Sequence, residues 1–184
     1  MRSVTPSRGR GAVIVGAVLA RLLVACCLVA GCTSGGLKNG VYRGDGFAFR
    51  FGEPGGGWER LEAAPAAIAY RNEQSRASMM VNARCGEDGD DVPLIALTNH
   101  LFLMFTDRQI VTQEVIPFDD REAMHTVMNA KLDGVPMTYD VWVLKKDGCV
   151  YDLLYLAPEA TFDGAHASFD GLVRGFATVD PHDD

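Results

Sequence analysis

The chain has 184 residues, room for one ordinary domain, and its 48% hydrophobic and 22% charged residues are the balance of a globular protein. The net charge of −7 understates how acidic most of it is. Arg2, Arg8, Arg10 and Arg21 precede Cys32 while all 24 acidic residues follow it, so the part after Cys32 carries 13 basic residues and a net charge of −11. Such a surface repels nucleic acid and anionic headgroups, which argues against a nucleic-acid role and against a membrane grip through basic side chains.

The four arginines form a long basic stretch without an acid, Leu22 to Ala30 is an apolar run, and Gly31 is a small residue before Cys32. Arg21 in the middle of residues 11–30 speaks against a membrane-spanning helix. Arg8 and Arg10 are separated by Gly9, so they are not a twin-arginine signal. A cut before Cys26 would leave too few apolar residues after Arg21. Leu28-Val29-Ala30-Gly31-Cys32 resembles the lipobox of bacterial lipoproteins; an ordinary signal, cleaved or uncleaved, is the alternative. The resemblance implies removal of residues 1–31, diacylation of the Cys32 thiol by chains of the palmitate kind, and acylation of the new amino group. More than one chain makes anchoring stable. Thr33 stands where an Asp would mark inner-membrane retention, so the same resemblance implies the outer membrane, facing the periplasm. Residues 32–40 are expected to be a flexible tether, 41–178 a single globular domain, and 179–184 an acidic tail.

Val41 to Phe51 reads as a first hairpin about Asp45-Gly46, with Phe47, Phe49 and Phe51 on a buried face and Ala48 and Arg50 on a wet one. Pro54-Gly55-Gly56-Gly57 ends it, and Trp58 is expected to fold back onto the sheet edge. Ala67–Asn72 and Arg76–Cys85 suggest a second hairpin. The acidic run Glu87-Asp88-Gly89-Asp90-Asp91 lacks the alternating-ligand spacing of a calcium loop. It reads instead as a helix start, with Pro93 in the first turn. Residues 94, 97, 98, 101, 102 and 105 then mark an amphipathic helix, on which Asn99 and His100 read as a solvated edge.

Four strands follow, at 110–117, 121–132, 135–146 and 149–157. Asp133-Gly134 and Asp147-Gly148 are two-residue hairpin turns, which set the registers. Lys146 pairs with Cys149, Leu144 with Tyr151, Trp142 with Leu153 and Val141 with Leu154. Likewise Leu132 pairs with Val135, His125 with Trp142 and Glu122 with Lys145, the last a cross-strand ion contact. His125 is thereby expected to be a structural neighbour of Trp142. One face of the 135–157 hairpin presents Tyr139, Val141, Val143, Leu154 and Leu156, and the other Trp142, Leu144, Tyr151, Leu153 and Tyr155. Both faces are apolar, so both need covers. The second cover is a C-terminal helix whose apolar side is Phe162, Ala165, Phe169, Leu172, Val173 and Phe176. The expected fold is α+β, an antiparallel sheet of about six to eight strands with a helix on each face (an α/β/α sandwich).

The element order, the Phe-x-Phe strand with its Pro/Gly/Trp loop and the closing Phe-rich helix resemble the PsbP-like fold across roughly residues 41–178. The resemblance implies a non-enzymatic accessory subunit of a larger assembly and carries no ligand or catalytic residue across.

After Cys32 the remaining cysteines are Cys85 and Cys149. An even pair in an oxidising compartment points to a disulfide. Two buried thiols are the alternative, and no neighbouring His motif supports a nucleophilic cysteine. Motifs of acyl, phosphoryl, hydride or metal chemistry are missing. Catalytic residues, metal ligands and cofactors are therefore expected to be none. The sequence reads as an envelope lipoprotein acting as a non-catalytic accessory or assembly subunit, with a membrane partner through Cys32 and an envelope protein partner. The rival is a module binding a small apolar ligand or lipid for an envelope transport system, its pocket lined by aromatics and by Met79, Met80, Met104, Met124, Met128 and Met137.

Overall fold

The computed structural model describes residues 36–62, 67–86 and 92–182. The lipobox, Cys32, the acidic run 87–91 and the last two residues of the tail lie outside these. The strands are β1 (Gly36–Lys38), β2 (Val41–Arg43), β3 (Ala48–Arg50), β4 (Glu59–Leu61), β5 (Ile68–Asn72) and β6 (Ala77–Cys85). Helix α1 (Leu94–Leu101) precedes β7 (Phe105–Phe118), β8 (Arg121–Leu132), β9 (Val135–Lys146) and β10 (Cys149–Ala157). Helix α2 (Phe162–Arg174) and β11 (Ala177–Val179) close the chain.

The long strands make one antiparallel sheet in the order β4-β5-β6-β10-β9-β8-β7. Its central hairpins have the expected registers, Lys146 opposite Cys149, Trp142 opposite Leu153 and His125 opposite Trp142. The cause is local. Asp133, Gly134, Asp147 and Gly148 all take positive φ, as a type I′ turn demands. With the turn pinned, a period of two leaves no freedom of register. The β8–β9 ladder runs to Ala123 opposite Leu144, and Lys145 reaches beyond it to donate to the Val92 carbonyl at 2.9 Å.

The apolar residues separate into two clusters. One joins Tyr139, Val141, Val143 and Val150 of the sheet to Leu97 and Phe102 of the α1 region. The other joins Leu144, Tyr151, Leu153 and Tyr155 to Phe169, Leu172 and Val173 of α2. This second cluster also takes Phe49, Phe51 and Phe176, and here the sandwich expectation needs correction. The first hairpin does not extend the main sheet. It forms a separate four-stranded sheet, β1-β2-β3-β11, whose last strand follows α2. That face is thus closed by a helix together with a small sheet. Ala48, expected to be wet, is fully buried.

The tether expectation is corrected as well, because Gly36–Lys38 pairs with Val41–Arg43 across an Asn39-Gly40 turn with both φ positive. A further such turn, Asp119-Asp120, has no glycine. The Asp119 carboxylate accepts from the Thr178 amide and hydroxyl and pairs with Lys146 at 3.0 Å, which offsets the cost of a left-handed non-glycine residue. Helix α1 is shorter than its periodicity indicated. Pro93 is its N-cap, its first turn holds no acid, and Phe102 already lies beyond its end.

Helix α2 approaches β3 so closely that backbone touches backbone. The Gly52 amide donates to the Leu172 carbonyl at 3.2 Å, and a Cβ on Gly52 would lie 2.0 Å from the Gly171 carbonyl oxygen. Gly52→Ala should therefore force the helix outward and cost about 1–3 kcal/mol or more as overpacking. Urea unfolding of the variant beside the native chain checks this.

Candidate functional site

Asp140 on β9 is a carboxylate buried to 5% side-chain exposure beneath α2. Each of its oxygens meets a different histidine. His125 Nε2 lies 2.9 Å from Oδ1 and His166 Nε2 lies 2.7 Å from Oδ2. The β8–β9 register puts Val127 opposite Asp140, so His125 is the diagonal neighbour on the same face. His166 arrives from α2 because it lies four residues after Phe162 and three before Phe169, on the stripe that the helix turns inward. Aromatic rings enclose the cluster. Trp142 stacks on His125 with centroids 4.4 Å apart, and Tyr155 meets His166 edge-on at 5.4 Å. The far nitrogen of His166, Nδ1, faces Asp170 at 3.4 Å.

The electrostatics follow from this geometry. Burial pushes the Asp140 carboxyl up, but the hydrogen bonds and charges of the two histidines outweigh it and hold the group below the usual carboxylate value. The hydrogen bond to Asp140 raises the His166 pKa against the opposing effect of burial, and the charges of Asp140 and Asp170 add to the rise. Chemically, the set can hold and exchange protons. Among the described residues no three His, Cys, Asp or Glu side chains are placed to grip a metal ion.

A second buried acid lies on the opposite face. Asp152 of β10 pairs with Arg84 of β6. Burial lifts its carboxyl above the usual value, only partly offset by Arg84 and Asn82. Charge pairs of this kind cost much in desolvation and confer little net stability.

Cys85 and Cys149 face each other across β6 and β10 and are joined as a disulfide. His100 and Asn99 are exposed on α1. His125 stacks on Trp142 as its register requires, yet it also binds Asp140, a contact the register alone does not reveal. The signal within reach of the sequence was His166, a polar residue on an otherwise apolar helical stripe. Asp140 gave a matching one on the inward face of a strand. Their meeting joins segments 26 residues apart and is invisible to periodicity.

The other feature is apolar surface. Leu103 and Met104, in the turn after α1, are 64% and 79% exposed. Phe105 pairs with Leu132, and Leu132 with Val135, so the exposed Leu132 and Val135 lie at the same end of the sheet. Along the edge strand β7, Ile110, Val111 and Val115 are exposed too. A long apolar edge invites strand addition, and this one is blunted. Two register shifts interrupt β7, Asp107 takes positive φ, and Pro117 lacks an amide hydrogen. Among the described residues, surface hollows of 360, 440, 470 and 480 Å³ open to solvent. The one of 470 Å³ has an apolar lining from Leu94, Ile95, Val115 and Met124, with Arg121 and Lys145 also beside it.

No family model matches the chain, and no curated protein matches it. Among solved structures, it is similar to cyanobacterial PsbP (CyanoP) from Synechocystis sp. PCC 6803, with TM-score 0.52, 12% identity, and coverage of 82% of this chain and 99% of that one. It is also similar to LpqN of Mycobacterium tuberculosis, described as involved in cell envelope biogenesis, with TM-score 0.51, 12% identity, and coverage of 74% and 87%. A protein from Bacteroides thetaiotaomicron matches with TM-score 0.52 and 9% identity over 78% of this chain, which spans about half (49%) of that one. These likenesses support an α+β, PsbP-like fold. At such identities they speak of fold alone.

Proposed function

We propose that this protein is an envelope lipoprotein, held by acyl chains on Cys32, whose domain is a non-catalytic accessory or assembly subunit that docks an envelope protein through its exposed apolar end. The observation that carries the reading is the group Leu103, Met104, Leu132 and Val135 at one end of the main sheet. Apolar side chains gathered this way mark interaction sites more often than scattered ones do. The finer architecture we read as one helix to each face of the main sheet, supported by the division of α1 and α2 between two apolar clusters.

Other support is chemical: both imidazoles direct Nε2 at Asp140, and the two cysteines are bonded to each other. The fold likeness to LpqN, itself described with cell envelope biogenesis, agrees with an envelope setting.

The test is a crosslinked pull-down of the natively lipidated protein from its own membranes, read for proteins and for lipids. A stoichiometric protein partner is expected. Leu103→Glu with Met104→Glu, both exposed and so tolerated by the fold, should lower its recovery about tenfold, the loss of roughly 1.4 kcal/mol of contact. An enriched lipid with no protein would replace the docking role by the carrier. Cys32→Ala should release the protein from membranes, and a variant that stays bound would refute the anchor.

A further inference from the structure

His166 stands between two carboxylates, Asp140 at Nε2 and Asp170 at Nδ1. A neutral imidazole has one N–H and one lone pair, so it can donate to only one of them and must aim its lone pair at the other. The imidazolium donates to both. On the Asp140 side, a carboxylate 5% exposed has its two oxygens directed at His125 and His166. The cluster ties three elements: β8 through His125, β9 through Asp140 and α2 through His166. Besides its apolar packing, α2 and its lead-in are attached, among the described residues, by neutral hydrogen bonds such as Tyr155 hydroxyl to the Phe162 carbonyl, Thr161 hydroxyl to the Ser75 carbonyl and Gly52 amide to the Leu172 carbonyl.

We propose that His125, Asp140 and His166, with Asp170, form a proton-operated latch for the C-terminal helix: imidazolium clamps α2 to the sheet in mildly acidic surroundings, and loss of the proton loosens it. The groups that face the cluster are few. From β7, Glu114 lies opposite His125 in the ladder. From β10, Tyr155 packs on His166, with its own hydroxyl pKa raised to about 12 by burial first, then by Asp163 and Asp140, so it stays neutral. From α2 itself come Asp163 and Asp170. The charged ones named are acids, and Asp140 and Asp170 favour the His166 imidazolium.

The direction of the effect follows from linkage. A histidine whose pKa is raised on folding contributes stability fully below its unfolded value near 6.5, and that contribution is lost as pH climbs through the folded value. A carboxyl lowered on folding contributes above its ordinary value near 3.8, and this is lost as pH falls through the folded value. The latch is therefore tightest between these limits and slackens toward alkaline pH. Loosening α2 exposes Phe169 and Leu172, both fully buried when it is closed.

Hydrogen exchange on the full chain, at about pH 6 and about pH 9 with intrinsic rates divided out, tests the latch across the histidine range. Protection of the α2 amides should fall several-fold toward the higher pH while that of β9 and β10 holds. His166→Gln should abolish the difference. Asp170→Asn, at a half-buried position, should keep the fold and shift His166 titration downward in an NMR pH series. Protection of α2 that is flat in pH, or a His166 that titrates at or below 6.5, would overturn the proposal.

Discussion

Replacing Cys85 and Cys149 by serine is expected to remove roughly 4 kcal/mol of stability, from the loop-closure entropy of a 64-residue separation. The two residues are direct cross-strand partners of β6 and β10, so the ladder needs no rearrangement without the bond, and the effect acts on the unfolded chain. For a domain whose whole stability is about 5–15 kcal/mol this is a large share. With a urea slope of about 2 kcal/mol/M the midpoint should drop by about 2 M, while the folded-state spectrum stays unchanged. A shift under about 0.5 M at the same slope would show that the unfolded chain is already constrained around this loop.

Phe169→Ala is expected to cost about 3–5 kcal/mol for an opposite reason, through the native state. Phe169 is fully buried at the middle of α2 and stacks on Tyr155 with centroids 5.5 Å apart. It is where the helix, the main sheet and the rings of the small sheet share one cluster. Its removal leaves a cavity that neither the Gly52–Leu172 contact nor the ladder can close, because backbone already meets backbone there. The unfolding midpoint in urea measures the loss. A cost below about 1 kcal/mol would mean that α2 collapses inward, and would deny it the role of a fixed cover.

The two substitutions also separate what the sequence made legible from what it did not. The central hairpins were readable to the residue, since Asp-Gly at 133–134 and 147–148 leaves one favourable turn and a strand's period of two then dictates every partner down to His125 and Trp142. No such turn sets Cys85 opposite Cys149. Their strands are separated by 64 residues, and only the pairing of β6 with β10 brings them together. The inward stripe of α2 was readable for the same reason as the hairpins, because a 3.6-residue period is local.

The small sheet escaped because strands of three residues carry too little pattern, and β11 pairs with β3 more than a hundred residues away. The glycine-free Asp119-Asp120 turn escaped because it is held by Thr178 and Lys146, partners that exist only in the folded chain.

By itself, then, the sequence determined an acidic α+β domain, its central registers, the inward faces of its central strands and of α2, and an N-terminal pattern resembling a lipoprotein signal, all properties set within a dozen or so neighbouring residues. Tertiary structure alone decided that a second sheet helps close one face, that the apolar residues at 103–104, 132 and 135 share one end, and that Asp140 lies between two histidines. Each of these depends on long-range contacts, whose loop-closure cost only the packed core repays.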